Sequence, residues 1–373
     1  MTKTKSLYLP NLNAFRFIAA SAVMIHHIEY TKLELNLPNC WSQQVWGLIG
    51  DLGVTLFFTL SGFLITILLL KEKKETGTIN IVAFYKRRIL RIWPLYYLIF
   101  FLALFILPYI PFFNLPSSFS AKEDVIIKLL LFIFMLPNVI FSFYPRLPYA
   151  VQTWSIGVEE QFYLIWPWLI KKTKNTIQVL LIIYVGFIFL MLILETNIVA
   201  SNIPDQIIHL IFHLRFGCMA IGGVAASLYF YEKKKILNYI LNLKAQLFGI
   251  IALSVLFLLS QKFLMHELFA LFFALIILNF AFCLKVLVNL EREPFKYLGK
   301  ISYGIYMYQF VATAISIKSV NYFIGFERTV LSNSIIYLTT FGLTITLASL
   351  SYEFYEKRFI KLKQKFQIIL SNS

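Results

Sequence analysis

A chain of 373 residues that is 59% hydrophobic, carries charge on 14% of its residues and has a mean hydropathy of +0.75 cannot be a soluble domain. That much apolar surface is accommodated only in a bilayer, and the 38 Phe and 21 Tyr suit lipid-facing helices with aromatic belts. The net charge of +16 does not imply a nucleic-acid partner, because the basic residues sit in short clusters between apolar segments, the pattern that orients membrane helices.

In chain order, stretches long enough to span fall at about 9–30, 46–70, 92–111, 177–195, 207–231, 245–261, 267–289, 299–317 and 331–354. Two weaker candidates, 125–141 and 154–170, lie between the third and fourth. If one of them crosses, there are ten spans, and the other is re-entrant or interfacial. The clusters at 71–91, 171–174, 233–244, 285–300 and 357–365 then all lie on one side with Lys3 and Lys5. The excess of basic residues marks that side as cytoplasmic. The reading is an all-α, polytopic membrane helical bundle of about ten transmembrane helices, filling residues 1–373 as a single domain. Both termini are cytoplasmic, with a basic tail over 357–373. The segment 154–170 runs directly into Lys171 and Lys172, as a span ending inside should. The first stretch lacks a small-residue cleavage site and carries Arg16, so it reads as a retained span and not a signal peptide.

That first span holds the most informative residues, Arg16 and His27. A charge at membrane depth costs roughly 2.5–3.5 kcal/mol and is usually kept for a function. Eleven residues make about three turns, so both side chains leave one face roughly 16 Å apart along the axis. In the second span, GDLGVTLFFTLSGFLI (Gly50 to Ile65) offers small residues for close helix packing, or Ser61 and Gly62 for a cavity wall. At the entry to the third, Arg88 and Arg91 are three apart and put two guanidinium forks on one face. That arrangement suits phosphates, and it equally suits membrane anchoring.

QTWSIGVEEQFYLIWPW (Gln152 to Trp168) sets Glu159 and Glu160 side by side in an apolar stretch. Neighbouring helix positions point about 100° apart, so only one of them can easily face a given cavity. His209 and His213 could share a face, but two histidines are a weak metal site, and no metal is expected. Arg215, in an apolar run ending in GCMAIGG, is the better functional candidate there. His266 falls in a short outer loop and reads as incidental. Cys40, Cys218 and Cys283 are scattered and assign no disulfide.

Taken together, these segments resemble the acyltransferase-3 family of integral membrane O-acyltransferases. RFIAASAVMIHH matches its arginine, ten residues, histidine signature at Arg16 and His27. GVTLFFTLSGFLI, RRILRIWP with Arg88 and Arg91, and WSIGVEEQFYLIWP follow in order. HLRFGCMAIGG, LGKISYGIYMYQ and SYEFYEKRF extend the resemblance to about residues 9–360. Three departures stand out: Thr55 where many relatives carry aspartate, Gln309 where many carry histidine, and Arg358 where proline is usual.

The resemblance implies an acyl donor, acetyl-CoA foremost, on the cytoplasmic side. It implies a surface or lipid-linked glycan hydroxyl as acceptor outside, and a location in the cell inner (plasma) membrane. His27 would be the general base, with direct acyl transfer preferred over an acyl-histidine. Arg16 would hold the donor's thioester end or pair with Glu159 or Glu160. Arg88 and Arg91, with Ser61 and Arg215, would bind the donor. The soluble esterase-like domain fused to some relatives is not expected, and a separate envelope partner could complete the task. Acylation of a small-molecule glycoside, or a glycan flippase without acyl chemistry, are the competing readings.

Overall fold

The computed structural model describes residues 9–115, 119–194, 196, 202–259, 265–325 and 329–366. The apolar stretches become helices: α1 (Leu12–Glu34), α2 (Gln44–Thr76), α3 (Ile81–Phe101), α4 (Val125–Ile133) and α5 (Pro137–Phe143). They continue as α6 (Thr153–Lys172), α7 (Thr176–Leu194), α8 (Asp205–Leu214), α9 (Phe216–Phe230), α10 (Lys234–Ile240) and α11 (Leu243–Leu259). The last are α12 (Met265–Phe282), α13 (Glu293–Lys300), α14 (Ser302–Phe323), α15 (Thr329–Ser351) and α16 (Lys357–Gln364). The protein is a polytopic membrane helical bundle, and among the described residues it forms no named strand, only an isolated bridge between Phe119 and Arg146.

Among the described residues, five helical stretches are long and apolar enough to span unaided, and a bent pair, α10 with α11, makes a sixth. Of the other expected spans, α12 is apolar but short, while α1 carries Arg16, Glu29 and Lys32 within its length. Of the two weak candidates, 154–170 becomes the unbroken 20-residue α6. The other, 125–141, breaks at Met135, whose φ of 60° ends one short helix before Pro137 starts the next.

Helix α2 is the axis of the bundle: 78% of its most apolar window is buried, against 22% in α7. It crosses α9 through glycines. A Cβ on Gly62 would lie 1.9 Å from the Met219 carbonyl oxygen, and one on Gly222 would lie 2.1 Å from that of Thr59. The two backbones therefore touch directly, the close approach that small residues permit between membrane helices.

Helix α3 starts at Ile81, a turn or more before the expected span, because the Asn80 side chain caps it by accepting from Ala83 N at 3.0 Å. Arg87, Arg88 and Arg91 are thereby helical. The span expected at 207–231 is one apolar helical stretch, Asp205–Phe230, interrupted between α8 and α9 at Arg215, whose φ of 44° is left-handed. That conformation costs a side-chain-bearing residue about 1–2 kcal/mol, and the bonds its guanidinium makes offset the cost. The span expected at 267–289 stops helically at Phe282.

Candidate active site

Among the described residues, Tyr306 of α14 lines two polar cavities, named inner and outer for the N-terminal and C-terminal halves of α1 that open on them. The inner one, with about 150 Å³ of space for water, lies between α1, α2, α3, α6 and α14. Arg16, Arg88 and Arg91 line it with Ser61, Glu159 and Tyr163. The outer one, about 210 Å³, holds His27, His26, Tyr30, Asp51, Arg146 and His213, with Trp41 and Trp154 among its walls.

Helix α1 connects the two chemistries, with Arg16 opening on the inner cavity and His27 on the outer. Arg16 donates to Asn13 Oδ1 at 3.3 Å, one turn earlier on the same helix. Arg88 stacks over Phe84 and Tyr163, with ring centroids 5.7 and 5.5 Å from its guanidinium carbon, and its Nε is buried without a partner. Stacking fixes the plane of the fork and leaves donors free for an anion. On α6 the adjacent glutamates part company. Glu159 enters the inner cavity, where it accepts from the Ser61 hydroxyl and the Tyr163 phenol. Glu160 points at α3 instead, taking Trp93 Nε1 at 3.0 Å on one oxygen while the other is buried unpaired. Glu160 lines neither cavity.

In the outer chamber His27 is 7% exposed, and its Nδ1 has no partner. Gln309 lies within hydrogen-bonding range of the imidazole, and its amide nitrogen donates to the Tyr306 carbonyl at 3.1 Å. Phe310 meets the ring edge-on at a 5.3 Å centroid distance.

Arg215 does not reach the inner cavity. Its guanidinium donates to the Asp51 carboxylate at 3.0 Å, to the Asp51 carbonyl at 3.2 Å and to Thr55 Oγ1 at 3.3 Å, and it lies over Trp154. The sequence reading grouped Arg215 with Arg88, Arg91 and Ser61. The left-handed break between α8 and α9 turns it towards α2 near the outer chamber. Thr55 also bonds His266 Nδ1 at 3.2 Å. His266 is therefore not an incidental loop residue but an anchor at the start of α12. The paired histidines are packing residues: His209 bonds Ser142 Oγ at 2.9 Å, and His213 bonds the His209 carbonyl at 2.7 Å. Among the described residues no cluster of three or more His, Cys, Asp or Glu could hold a metal.

Sequence reasoning passed over Tyr306, Arg146, Trp154 and Asp51. Tyr306 sits at the junction of the cavities, its hydroxyl 2.7 Å from Ser155 Oγ and donating to the Gln152 carbonyl at 3.0 Å. Arg146 donates to the Tyr30 hydroxyl at 2.6 Å and lies 4.8 Å over Phe141. It follows an irregular stretch, so no helical spacing flagged it. Asp51 was visible in the GDLG run but read as part of a small-residue stripe.

Residues 9–353 match the acyltransferase domain model of the acyltransferase-3 family. Among curated relatives, "Putative O-acetyltransferase SACOL0978" of Staphylococcus aureus (strain COL) is 26% identical over 391 residues, covering 96% of this chain and 59% of the relative. O-acetyltransferase OatA of Staphylococcus aureus (strain NCTC 8325 / PS 47) is 26% identical over 370 residues, covering 94% and 57%. The chain thus spans somewhat more than half the length of the curated relatives it matches. No solved structure matches it. With the family's domain model covering nearly the whole bundle, the chain belongs to the acyltransferase-3 family.

Proposed function

We propose that this protein is a membrane O-acyltransferase that moves an acyl group, acetyl foremost, from acyl-CoA on the cytoplasmic side to a sugar hydroxyl outside. The acceptor is a surface or lipid-linked glycan at the plasma membrane. The observation that carries this reading is the pair of cavities meeting at Tyr306, one lined by three arginines and the other by His27. The relatives named as O-acetyltransferases support the choice of reaction and of acyl group.

The inner cavity suits a polyanionic donor. Arg88 and Arg91 present forks that match phosphate oxygens, and Arg16 lies along the same wall. Ser61 and Tyr163 are held by Glu159, which fixes two hydroxyls beside the path of the thioester. In the outer chamber Trp41, Trp154 and Tyr30 form aromatic walls that give a sugar ring apolar contact, and Arg146 and Asp51 supply polar ones. His27 takes the proton of the attacking hydroxyl as its oxygen bonds to the thioester carbonyl carbon. The carbon–sulfur bond then breaks, and the same imidazole returns the proton to the leaving sulfur. The products are the sugar ester and free CoA thiol, and atoms balance without a further reactant.

The test is transfer by the purified protein in sealed vesicles, with labelled acetyl-CoA supplied on one side and glycan acceptor on the other. Label on the acceptor in the wild type and none with His27→Ala supports the reading. Equal labelling by His27→Ala removes His27 from the chemistry.

A further inference from the structure

The last long helix does not end at Ser351 but continues to Gln364. A π-helical turn over Tyr352–Glu356 leads into α16, which packs against α3. Three contacts hold it there. Tyr355 donates to the Pro94 carbonyl at 3.1 Å, Arg87 Nη1 donates to the Phe366 carbonyl at 2.9 Å, and the Lys86 ammonium lies 4.9 Å over the Phe366 ring.

The exposure pattern of this segment has a helical period. Lys357, Phe359, Ile360, Lys363 and Phe366 are half-buried, while Arg358, Lys361, Leu362, Gln364 and Lys365 are exposed. Lys357 pairs with the exposed Glu353, so Lys363 is the one half-buried cation of the segment without such a pair among the described residues. A lysine whose only task is to mark the cytoplasmic side belongs on the outer stripe, where its neighbours Lys361 and Lys365 are.

Lys363 instead lines the inner cavity with Arg16, Arg88 and Arg91. Its ammonium has no ion pair or hydrogen bond among the described residues, and its charged neighbours are Arg91, Arg88, Arg16 and Arg87, all of the same sign. The one carboxylate in the cavity lining, Glu159, already accepts from Ser61 and Tyr163. Four cations converging on a poorly solvated space repel one another unless an anion of several charges joins them.

We propose that Lys363 is a phosphate-holding residue of the donor site, and that α16 forms one wall of that site. This rests on the donor reading above and adds a residue and an element to it. The ligand chemistry is an organic polyphosphate, met by the nucleotide end of CoA. An anionic lipid headgroup shares the phosphate chemistry, and the experiment separates the two.

CoA binding is measured by calorimetry on the full chain in uncharged detergent, for wild type, Lys363→Gln, Lys363→Arg and Lys361→Gln. Loss of one charge-assisted contact weakens binding about tenfold or more. The expected pattern is that loss in Lys363→Gln, recovery in Lys363→Arg and wild-type affinity in Lys361→Gln. Recovery by arginine is a result that mere support of the fold by α16 would not give. A second arm adds phosphatidylglycerol to the micelles. Wild-type CoA affinity in Lys363→Gln, with a selective loss of phosphatidylglycerol binding, overturns the proposal in favour of a lipid site. Equal affinities for both ligands in all four proteins also overturn it while leaving the donor reading intact. Failure of the wild type to bind CoA at all overturns the donor reading and this proposal with it.

Discussion

Replacing Arg88 with alanine separates donor binding from the rest of catalysis. The guanidinium stacks on Phe84 and Tyr163 at 5.7 and 5.5 Å, and its Nε is buried without a partner, so the residue is already positioned before a ligand arrives. A charge-assisted hydrogen bond to a phosphate contributes about 1.5–3 kcal/mol, so losing it raises the donor KM roughly 10- to 150-fold. On the proposed assignment Arg88 holds the phosphates and not the reacting carbon, so the interaction is the same in ground and transition states, and kcat is expected to change little. Arg88→Lys keeps the charge but loses the fork and its stacking, and falls between alanine and wild type. The assay is initial-rate transfer with acetyl-CoA varied at saturating acceptor, then the acceptor varied at saturating donor. An unchanged donor KM, or an equal rise in both KM values, refutes the assignment and returns Arg88 to membrane anchoring.

Three further outcomes follow from the packing and the pairing of charges. Gly62→Val forces a side chain into the Met219 carbonyl, where even a Cβ would sit at 1.9 Å, and overpacking of this kind costs about 1–3 kcal/mol. The thermal midpoint of the detergent-solubilised protein falls, and an unmoved midpoint would show that α2 and α9 do not touch there. Asp51→Asn and Arg215→Gln each lower transfer, and the double variant loses less than the two losses summed, with a coupling above about 0.5 kcal/mol; simple additivity would deny the contact. Glu159→Gln slows transfer while Glu160→Gln, which keeps an acceptor for Trp93, leaves the rate near wild type. Equal losses in the two glutamine variants would contradict the division of the pair between cavity and packing.

Much of this arrangement could be read before any coordinates, and the reasons differ by residue. Arg16 and His27 were legible because one helix carries both, so their separation and shared face follow from 1.5 Å per residue. The two glutamates were half legible. The 100° step showed that they must diverge, but not that Glu159 would take the cavity and Glu160 Trp93. Ser61 and Gly62 drew two rival readings, packing and cavity, and each residue has one of them: Ser61 faces the inner cavity while Gly62 meets α9.

What escaped depends on local departures from the regular helix that no periodicity reports. The left-handed Arg215 redirects its own side chain, and the irregular approach to Arg146 delivers a cation to the outer chamber. His266 gained a role only when α12 brought it to Thr55. The π-helical stretch Tyr352–Glu356 carries the last helix onward, so that Lys363, which sequence reasoning counted in a basic tail, lines the inner cavity. Charge counting orients a membrane protein well, yet it cannot distinguish a lysine that marks a side from one that faces a ligand.

The most direct test of the central claim is mass spectrometry of surface glycans from cells expressing this protein, cells lacking it and cells expressing His27→Ala. The account predicts a glycan heavier by one acetyl ester in the first and its absence from the other two, with His27→Ala present in the membrane at wild-type level. Glycans of identical mass in all three, differing only in surface abundance, would contradict acyl transfer and point to transport of the glycan.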